Sequence, residues 1–433
     1  MTLLETIGIA AVTLHALLSA IYKSMQAFYA RKASGSQPRS KDIDPAALPS
    51  VDIIVPCFNE DPAILSACLS SLAGQDYGGK LRIYMVDDGS CNREAILPVH
   101  DFYTSDPRFE FLLLSKNFGK RKAQIAAIER SCGDLILNVD SDTSIASDVV
   151  TLLVEKMRDS DVGAAMGQLK ASNRDKNLLT RLIDMEYWLA CNDERAAQAR
   201  FGAVMCCCGP CAMYRRSALL LLLDQYQTQL YRGKPSDFGE DRHLTILMLS
   251  AGFRTEYVPE AIAKTVVPDR MGSYLRQQLR WARSTFRDTL LALPLLPSHN
   301  RFLTLDAIHQ NIGPLLLAVS SATGITQFIL TATVPGWTII IIASMTMVRC
   351  SVAAYRARQI RFLAFSLHTL INLFMLIPLK GFALLTLSNS DWLSRGSTTD
   401  GPAIAESNAA SNEAEIVASE SPFGGGTSWR FRR

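Results

Sequence analysis

DLILNVDSD (residues 134–142) ends a run of strand-forming side chains on two carboxylates, Asp140 and Asp142. A strand here delivers both acids to the loop at its end. LRIYMVDDGS (81–90) repeats the arrangement with Asp87 and Asp88. VDIIVP (51–56) and FEFLLL (109–114) supply two more strands, and VGAAMGQ (162–168) and VMCCCG (204–209) are further candidates. Helical stretches lie between: Asp61-Pro62 caps and starts AILSACLSSLA (63–73), and Lys122 to Arg130 continues the pattern. This alternation predicts an α/β domain with a mostly parallel sheet. Such sheets bind ligands beyond the carboxyl ends of their strands, where these acids stand.

The apolar residues are unevenly distributed. Thr2 to Tyr22 gives about 20 mostly apolar positions, the length of a spanning helix. Glu5 replaces the basic start of a secretory signal, and no small-residue cleavage site follows. Gln310 to Val348 carries no ionisable group over 39 positions, enough for two spans turning at Val334-Pro335-Gly336-Trp337. A further span is predicted from Phe362 to about Leu387, interrupted by His368 and Lys380. Lys23, Arg31, Lys32, Arg39 and Lys41 follow the first span, and Arg356, Arg358 and Arg361 separate the third from the fourth. The positive-inside rule puts both groups in the cytoplasm, giving an outside N-terminus, a cytoplasmic domain and an outside tail.

The predicted organisation is a spanning helix (1–22), a basic cytoplasmic linker (23–49), an α/β domain (50–270), interfacial helices (271–305), three spans (306–387) and a disordered tail (388–433). Two amphipathic stretches, 178–199 and 271–292, carry charge on one face, and the second is expected at the membrane interface. The net charge of +3 gives no basic surface that would argue for nucleic acid. Nine of the ten cysteines lie in the segment assigned to the cytoplasm, where thiols stay reduced.

Asp-x-Asp at 140–142 can share one hard divalent cation, which usually travels with the phosphates of a substrate. Glu240-Asp241 in FGEDR and Gln277-Gln278-Leu279-Arg280-Trp281 complete the set of polar clusters. Each has a plain structural reading: a turn for Asp-Gly, a helix cap for Glu240-Asp241, an interfacial helix for the last. Their fixed order between membrane segments points to one site. Two other motifs are weighed against it. GQDYGGK (74–80) lacks the Ser/Thr of a phosphate loop, with Leu81 in its place, and runs from helix to strand, the reverse of that motif. Cys208-Gly209-Pro210-Cys211 has the spacing of a redox dithiol, and with Cys206 and Cys207 offers four thiols to a metal without a second ligand cluster, but buried structural thiols near a cleft are the simpler reading.

The sequence of Asp88, Asp140/Asp142, Asp241 and Gln277/Arg280/Trp281 resembles the processive inverting glycosyltransferases that include cellulose, chitin and hyaluronan synthases. The likeness covers about residues 50–385, and its last motif separates processive members from single-transfer relatives. PCFNED (56–61), SKNFGKRKAQ (115–124), GPCAMYRR (209–216) and QQLRWARS (277–284) bring it nearest to the rhizobial N-acetylglucosaminyltransferases that make the chitin-oligosaccharide backbone of nodulation factors. The Cys-rich VMCCCG departs from the wider family.

The resemblance implies a cytoplasmic GT-A-type domain inserted between transmembrane helices of a bacterial inner membrane. It implies transfer of N-acetylglucosamine from UDP-GlcNAc to the non-reducing end of a β-1,4 chitin oligosaccharide, with Mg2+ or Mn2+. In this reading Pro56 and Glu60 line the uridine site, Asp88 holds the nucleobase or ribose, and Lys120 (alternatively Arg121 or Lys122) and Arg280 meet the diphosphate. Asp140 and Asp142 approach the metal, Asp142 directly. Asp241 is the general base, with Glu240 raising its pKa, and Gln277, Trp281 and Cys208 face the acceptor sugar. Alternatives are a hyaluronan-synthase-like enzyme, a single-transfer enzyme acting on a lipid carrier, and a non-catalytic sensor of nucleotide sugars.

Overall fold

The computed structural model describes residues 3–32, 47–236, 238–298, 300–389 and 416–417. Its strands are β1 (Val51–Cys57), β2 (Leu81–Asp87), β3 (Phe109–Leu114), β4 (Leu135–Asn138), β5 (Thr143–Ile145), β6 (Val162–Ala171), β7 (Ala212–Arg215), β8 (Leu230–Tyr231), β9 (Lys234–Pro235), β10 (Arg254–Thr265) and β11 (Ile416–Val417). Nine join in one sheet in the order β11-β3-β2-β1-β4-β7-β6-β10-β5, and β8 and β9 pair separately. Pairing is parallel through β3-β2-β1-β4 and between β6 and β10. β7 runs antiparallel to both its neighbours, so the sheet is mixed.

The central strands are covered on both faces, which is why they read as unbroken apolar runs rather than alternating ones. Ile53, Ile54, Val55, Ile83, Val86, Ile136 and Leu137 are all fully buried. Each contributes about 1.5–3 kcal/mol relative to an exposed side chain. The helix Pro62–Ala73 starts as expected: Asp61 Oδ1 accepts from the N–H groups of Ala63 (2.8 Å) and Ile64 (3.2 Å).

Two strands differ from the sequence reading. VMCCCG (204–209) is not a strand; the extended segment is β7, immediately after it. The cysteine run instead folds across the sheet edge, where Cys207 N–H donates to Thr245 Oγ1 at 2.9 Å. β10 has no clean signal in RTEYVPEAIAKT because its register against β6 shifts between Val258 and Ile262, around Pro259. GQDYGGK forms the turn between the helix Pro62–Ala73 and β2.

Among the described residues, four helical segments are long and apolar enough to cross a membrane: Leu3–Ala30, Arg301–Thr331, Gly336–Ala357 and Ile360–Leu385. The first continues past Tyr22 to Lys32, and the second begins at Arg301 rather than near 306. Polar contacts tie these segments to the α/β domain. Asp306 accepts from Tyr22 OH (2.5 Å) and Gln198 Nε2 (2.8 Å), and Gln198 Oε1 in turn accepts from Met205 N–H (3.1 Å). The amphipathic helix Met271–Ala292 docks on the last segment, with Arg283 donating to Thr386 Oγ1 (2.9 Å) and Arg287 to Leu387 O (2.8 Å). The stretch read as one amphipathic helix from 178 to 199 is a helix Leu178–Leu189, a π-helical turn Ala190–Arg195 and a short helix Ala196–Ala199.

The linker expected at 23–49 and the tail expected at 388–433 fall for the most part outside the described residues. Within the tail, Ile416 and Val417 pair antiparallel with Leu114 and Leu113 at the sheet edge. The edge of β3 offers unpaired backbone groups, and β11 pairs with them there.

Candidate active site

The strand ends bring Glu60, Asp88 and the Asp140–Asp142 loop to one edge. Asp140, Ser141 and Asp142 occupy the connection between β4 and β5. Glu60, 2% exposed, accepts from Ser141 Oγ at 2.8 Å and so fixes that loop from the β1 side. Asp142 Oδ1 accepts from the hydroxyls of Thr265 (3.0 Å) and Thr143 (3.3 Å). Pro56 is buried within β1, in register with Val86.

Asp88 is buried at the end of β2, and its two carboxylate oxygens accept from the N–H groups of Phe118 (2.8 Å) and Gly119 (2.9 Å). Burial pushes its pKa up to about 6 against the pull of those two amides. Asp88 therefore shapes the loop that leads directly into Lys120, the first residue of the helix Lys120–Arg130. A carboxylate has lone pairs beyond the two used here, so the group keeps acceptor capacity toward the cleft.

Lys120 is the centre of the charge arrangement. Its ammonium lies 2.7 Å from Asp140 Oδ1 and 2.8 Å from Glu240 Oε1. Burial pulls its pKa down, but the two carboxylates outweigh that and hold it well above the usual lysine range. Of the KRK run, only Lys120 enters the site. Arg121 is buried, donating to Tyr226 O (2.7 Å) and Gln229 Oε1 (2.6 Å), and Lys122 is exposed.

Asp241 stands beside this pair on the first turn of the helix Glu240–Ser250. Its Oδ2 accepts from Gly209 N–H at 3.1 Å and its Oδ1 from Arg242 N–H at 2.7 Å. Burial, then the neighbouring Glu240 charge, raises its pKa, as the sequence led one to expect. Glu240 goes the other way: burial pushes it up, but Lys120 overrides this and keeps it ionised. Two adjacent carboxylates thus have separated proton affinities, the pattern by which sites divide acid and base roles. The helix reaches this depth because its cap, Gly239, has φ +80°, and a Cβ there would lie 1.8 Å from Ser284 Oγ. Only glycine permits that approach.

Gly209 joins the two halves of the site. Its N–H holds Asp241, while a Cβ on it would lie 3.0 Å from Lys120 Nζ and 3.4 Å from Asp140 Oδ1. Cys208, next to it, accepts from Arg195 Nη2 at 3.3 Å. A hydrogen bond from Cys206 and the Arg195 guanidinium hold the Cys208 thiol down to about 7 against the effect of burial. All ten cysteines are free, and Cys211 is buried in the core, so the redox-dithiol reading gives way to separate roles for Cys208 and Cys211.

The helix Met271–Ala292 completes one wall. Trp281 is 38% exposed, with its ring centroid 6.4 Å from that of Tyr187. Burial, then the charges of Glu186 and Asp142, push the Tyr187 phenol upward. Gln277 Oε1 and Gln278 Nε2 are buried without a hydrogen-bond partner among the described residues. Arg280 is half-buried on the same helix. Gly209, Tyr187, Arg195 and Ser141 are contributors that motif reading gave no role. Arg195 sits in a π-helical turn, a feature often found at functional sites but without a sequence signature.

Residues 52–221 match Glycosyl transferase family 2. A protein of Neorhizobium galegae named N-acetylglucosaminyltransferase is 99% identical over 433 residues, the full length of both chains. Another of that name from Rhizobium leguminosarum bv. viciae is 72% identical over 94% of this chain and 96% of its own length. Among solved structures, a mannosyltransferase from Pyrobaculum calidifontis, in complex with GDP-Man and Mn2+, matches with a TM-score of 0.56. It is 21% identical over 86% of this chain and 99% of its own, a likeness of fold. With relatives aligned from end to end at such identity, the chain is an enzyme and belongs to glycosyl transferase family 2.

Proposed function

We propose that this enzyme is a membrane-embedded, processive, inverting N-acetylglucosaminyltransferase that extends a β-1,4 chitin oligosaccharide at its non-reducing end from UDP-GlcNAc. The observation that carries the reading is the position of Gly209, which touches the proposed base Asp241 on one side and the Lys120–Asp140 pair on the other. The names of the rhizobial relatives support N-acetylglucosamine as the transferred sugar.

Asp241 takes the proton from the acceptor hydroxyl as that oxygen attacks the anomeric carbon. Its raised proton affinity suits a base working near neutral pH. One base and no enzyme nucleophile give direct displacement, hence a β-linked product from an α-linked donor. Lys120, fixed between Asp140 and Glu240, supplies positive charge where the diphosphate leaves. Glu60 and Asp88 position the nucleoside end, Arg280 meets the diphosphate, and Trp281 with Tyr187 offers a flat surface to the terminal sugar. Gln277, its amide oxygen unpartnered, and Cys208 face the acceptor.

Asp142 and Asp140 would hold Mg2+ or Mn2+. The donor set fits: hard carboxylate oxygens two residues apart, on a loop pinned by Ser141 and Thr265. A bound cation neutralises charge on the departing diphosphate. The Mn2+ complex of the structurally similar mannosyltransferase is consistent with this. The basic residues flanking the spans favour an outside N-terminus and a cytoplasmic catalytic domain in a bacterial inner membrane.

The test is mass analysis of products formed by the full-length enzyme in membranes supplied with UDP-GlcNAc and Mg2+. A ladder of β-1,4-linked N-acetylglucosamine oligomers is expected. A single transferred sugar on a lipid, or a requirement for a second donor, would sink the proposal in favour of the lipid-carrier or hyaluronan-type reading.

A further inference from the structure

Beside the proposed base stand two thiols, Cys206 and Cys208, soft ligands that proton transfer to Asp241 does not require. Cys206 Sγ and Cys208 Sγ are 3.9 Å apart, and Cys206 Sγ is 3.8 Å from Asp241 Oδ2. All three ligand atoms lie within 4.8 Å of one another, and all three residues are partly accessible. A tetrahedral zinc site with Zn–S of ~2.3 Å places neighbouring sulfurs about 3.8 Å apart. The thiol pair therefore already has the separation such a site needs. We propose that Cys206, Cys208 and Asp241 form a site for a thiophilic divalent cation such as Zn2+, separate from the Asp140–Asp142 loop.

The chemistry of the two sites differs. Asp140 and Asp142 offer hard oxygens alone, suited to Mg2+ or Mn2+. The second site offers two sulfurs and one oxygen, a set that selects Zn2+, with a fourth position for water. Binding forms two metal–sulfur bonds and one metal–oxygen bond, and the two thiol protons pass to solvent. The Arg195 guanidinium, 3.3 Å from Cys208 Sγ, favours the thiolate. Two thiolates, one carboxylate, the guanidinium and the divalent ion sum to zero charge, so the occupied site carries no net charge into a partly buried cleft.

The functional consequence rests on the reading of Asp241 as general base. A cation on Asp241 Oδ2 removes the lone pair that accepts the proton, so occupancy blocks turnover while the Mg2+ site stays available. Zn2+ then acts as an inhibitor at submillimolar or lower concentration, and excess Mg2+ does not relieve it.

The test uses full-length, metal-stripped enzyme in detergent. Zinc stoichiometry and proton release are measured with Zn2+ alone, and Co2+ serves as a spectroscopic probe of sulfur ligation. About one bound zinc per chain, a thiolate-to-cobalt charge-transfer band, and protection of Cys206 and Cys208 from alkylation on the wild-type protein are expected. Cys206→Ser and Cys206→Ala should each weaken zinc binding at least tenfold and remove the band. Unchanged zinc binding in both variants, or ligation without a sulfur band, would overturn the site. Zinc bound to the thiols with undiminished turnover would leave the site standing and overturn the assignment of Asp241 as base.

Discussion

The backbone N–H of Gly209 donates to Asp241 Oδ2 at 3.1 Å, while the Gly209 α-carbon faces the Lys120–Asp140 ion pair. One residue without a side chain thus sets the spacing between the proposed base, Asp241, and the cation proposed to meet the diphosphate, Lys120. Gly209→Ala should place a methyl 3.0 Å from Lys120 Nζ and 3.4 Å from Asp140 Oδ1, closer than an ordinary contact. The end of the lysine can shift, so folding should persist, but a displacement of this size misaligns the site. We expect at least about a tenfold loss of kcat, read from initial rates alongside an unchanged melting temperature.

Asp241→Asn removes the proposed proton acceptor and keeps the size. A loss of about 10²–10⁴-fold in kcat is expected, with UDP binding held within a few-fold. Because burial and Glu240 raise the Asp241 pKa, the wild-type rate should fall on acidification through a pKa above the usual carboxylate range. A pH profile flat down to pH 4 would argue that another residue takes the proton.

Lys120→Met strips the cation from two carboxylates at once. Full burial of an unpaired charge costs about 3–5 kcal/mol; with the lysine side chain 21% exposed, a loss of about 2 kcal/mol is the expectation. Denaturant unfolding checks this. Adding Glu240→Gln should recover part of the stability but none of the activity.

Asp88 gives a pH signature in stability. Its folded pKa is raised to about 6 from an ordinary 3.8, so the folded state holds a proton that the unfolded state loses between those values. The resulting stabilisation is complete below about pH 4 and disappears as pH rises through 6. The melting temperature of wild type minus that of Asp88→Asn should therefore fall from pH 4 to pH 6 and stay level above. A wild-type melting temperature that rises relative to the variant over that interval would contradict the burial argument.

Trp281→Ala should impair extension of added chitin oligosaccharide more than affinity for UDP, since Trp281 stands beside Tyr187 on the wall of the site. Product length measured against UDP affinity separates the two effects. Equal losses in both would remove Trp281 from the acceptor side.

Much of the scaffold was legible because its signals are local. A parallel strand buried on both faces must be apolar throughout, so β1, β2, β3 and β4 stand out in the chain. Membrane segments announce themselves by length and lack of charge. β7 and β10 did not, because one is four residues long beside a cysteine run and the other changes register at Pro259. The pairing of β11 with β3 joins residues about 300 positions apart, a relationship with no local trace.

For the site, the sequence by itself determined which acidic side chains emerge at the strand ends, since side-chain type and strand periodicity are properties of short segments. Only the tertiary structure decided that Lys120 rather than Arg121 or Lys122 meets Asp140, that Gly209 separates Asp140 from Asp241, and that Arg195 and Cys206 flank Cys208. These are distances between elements far apart in the chain. They follow from how helices pack across the sheet edge, where long-range burial rather than local pattern fixes position.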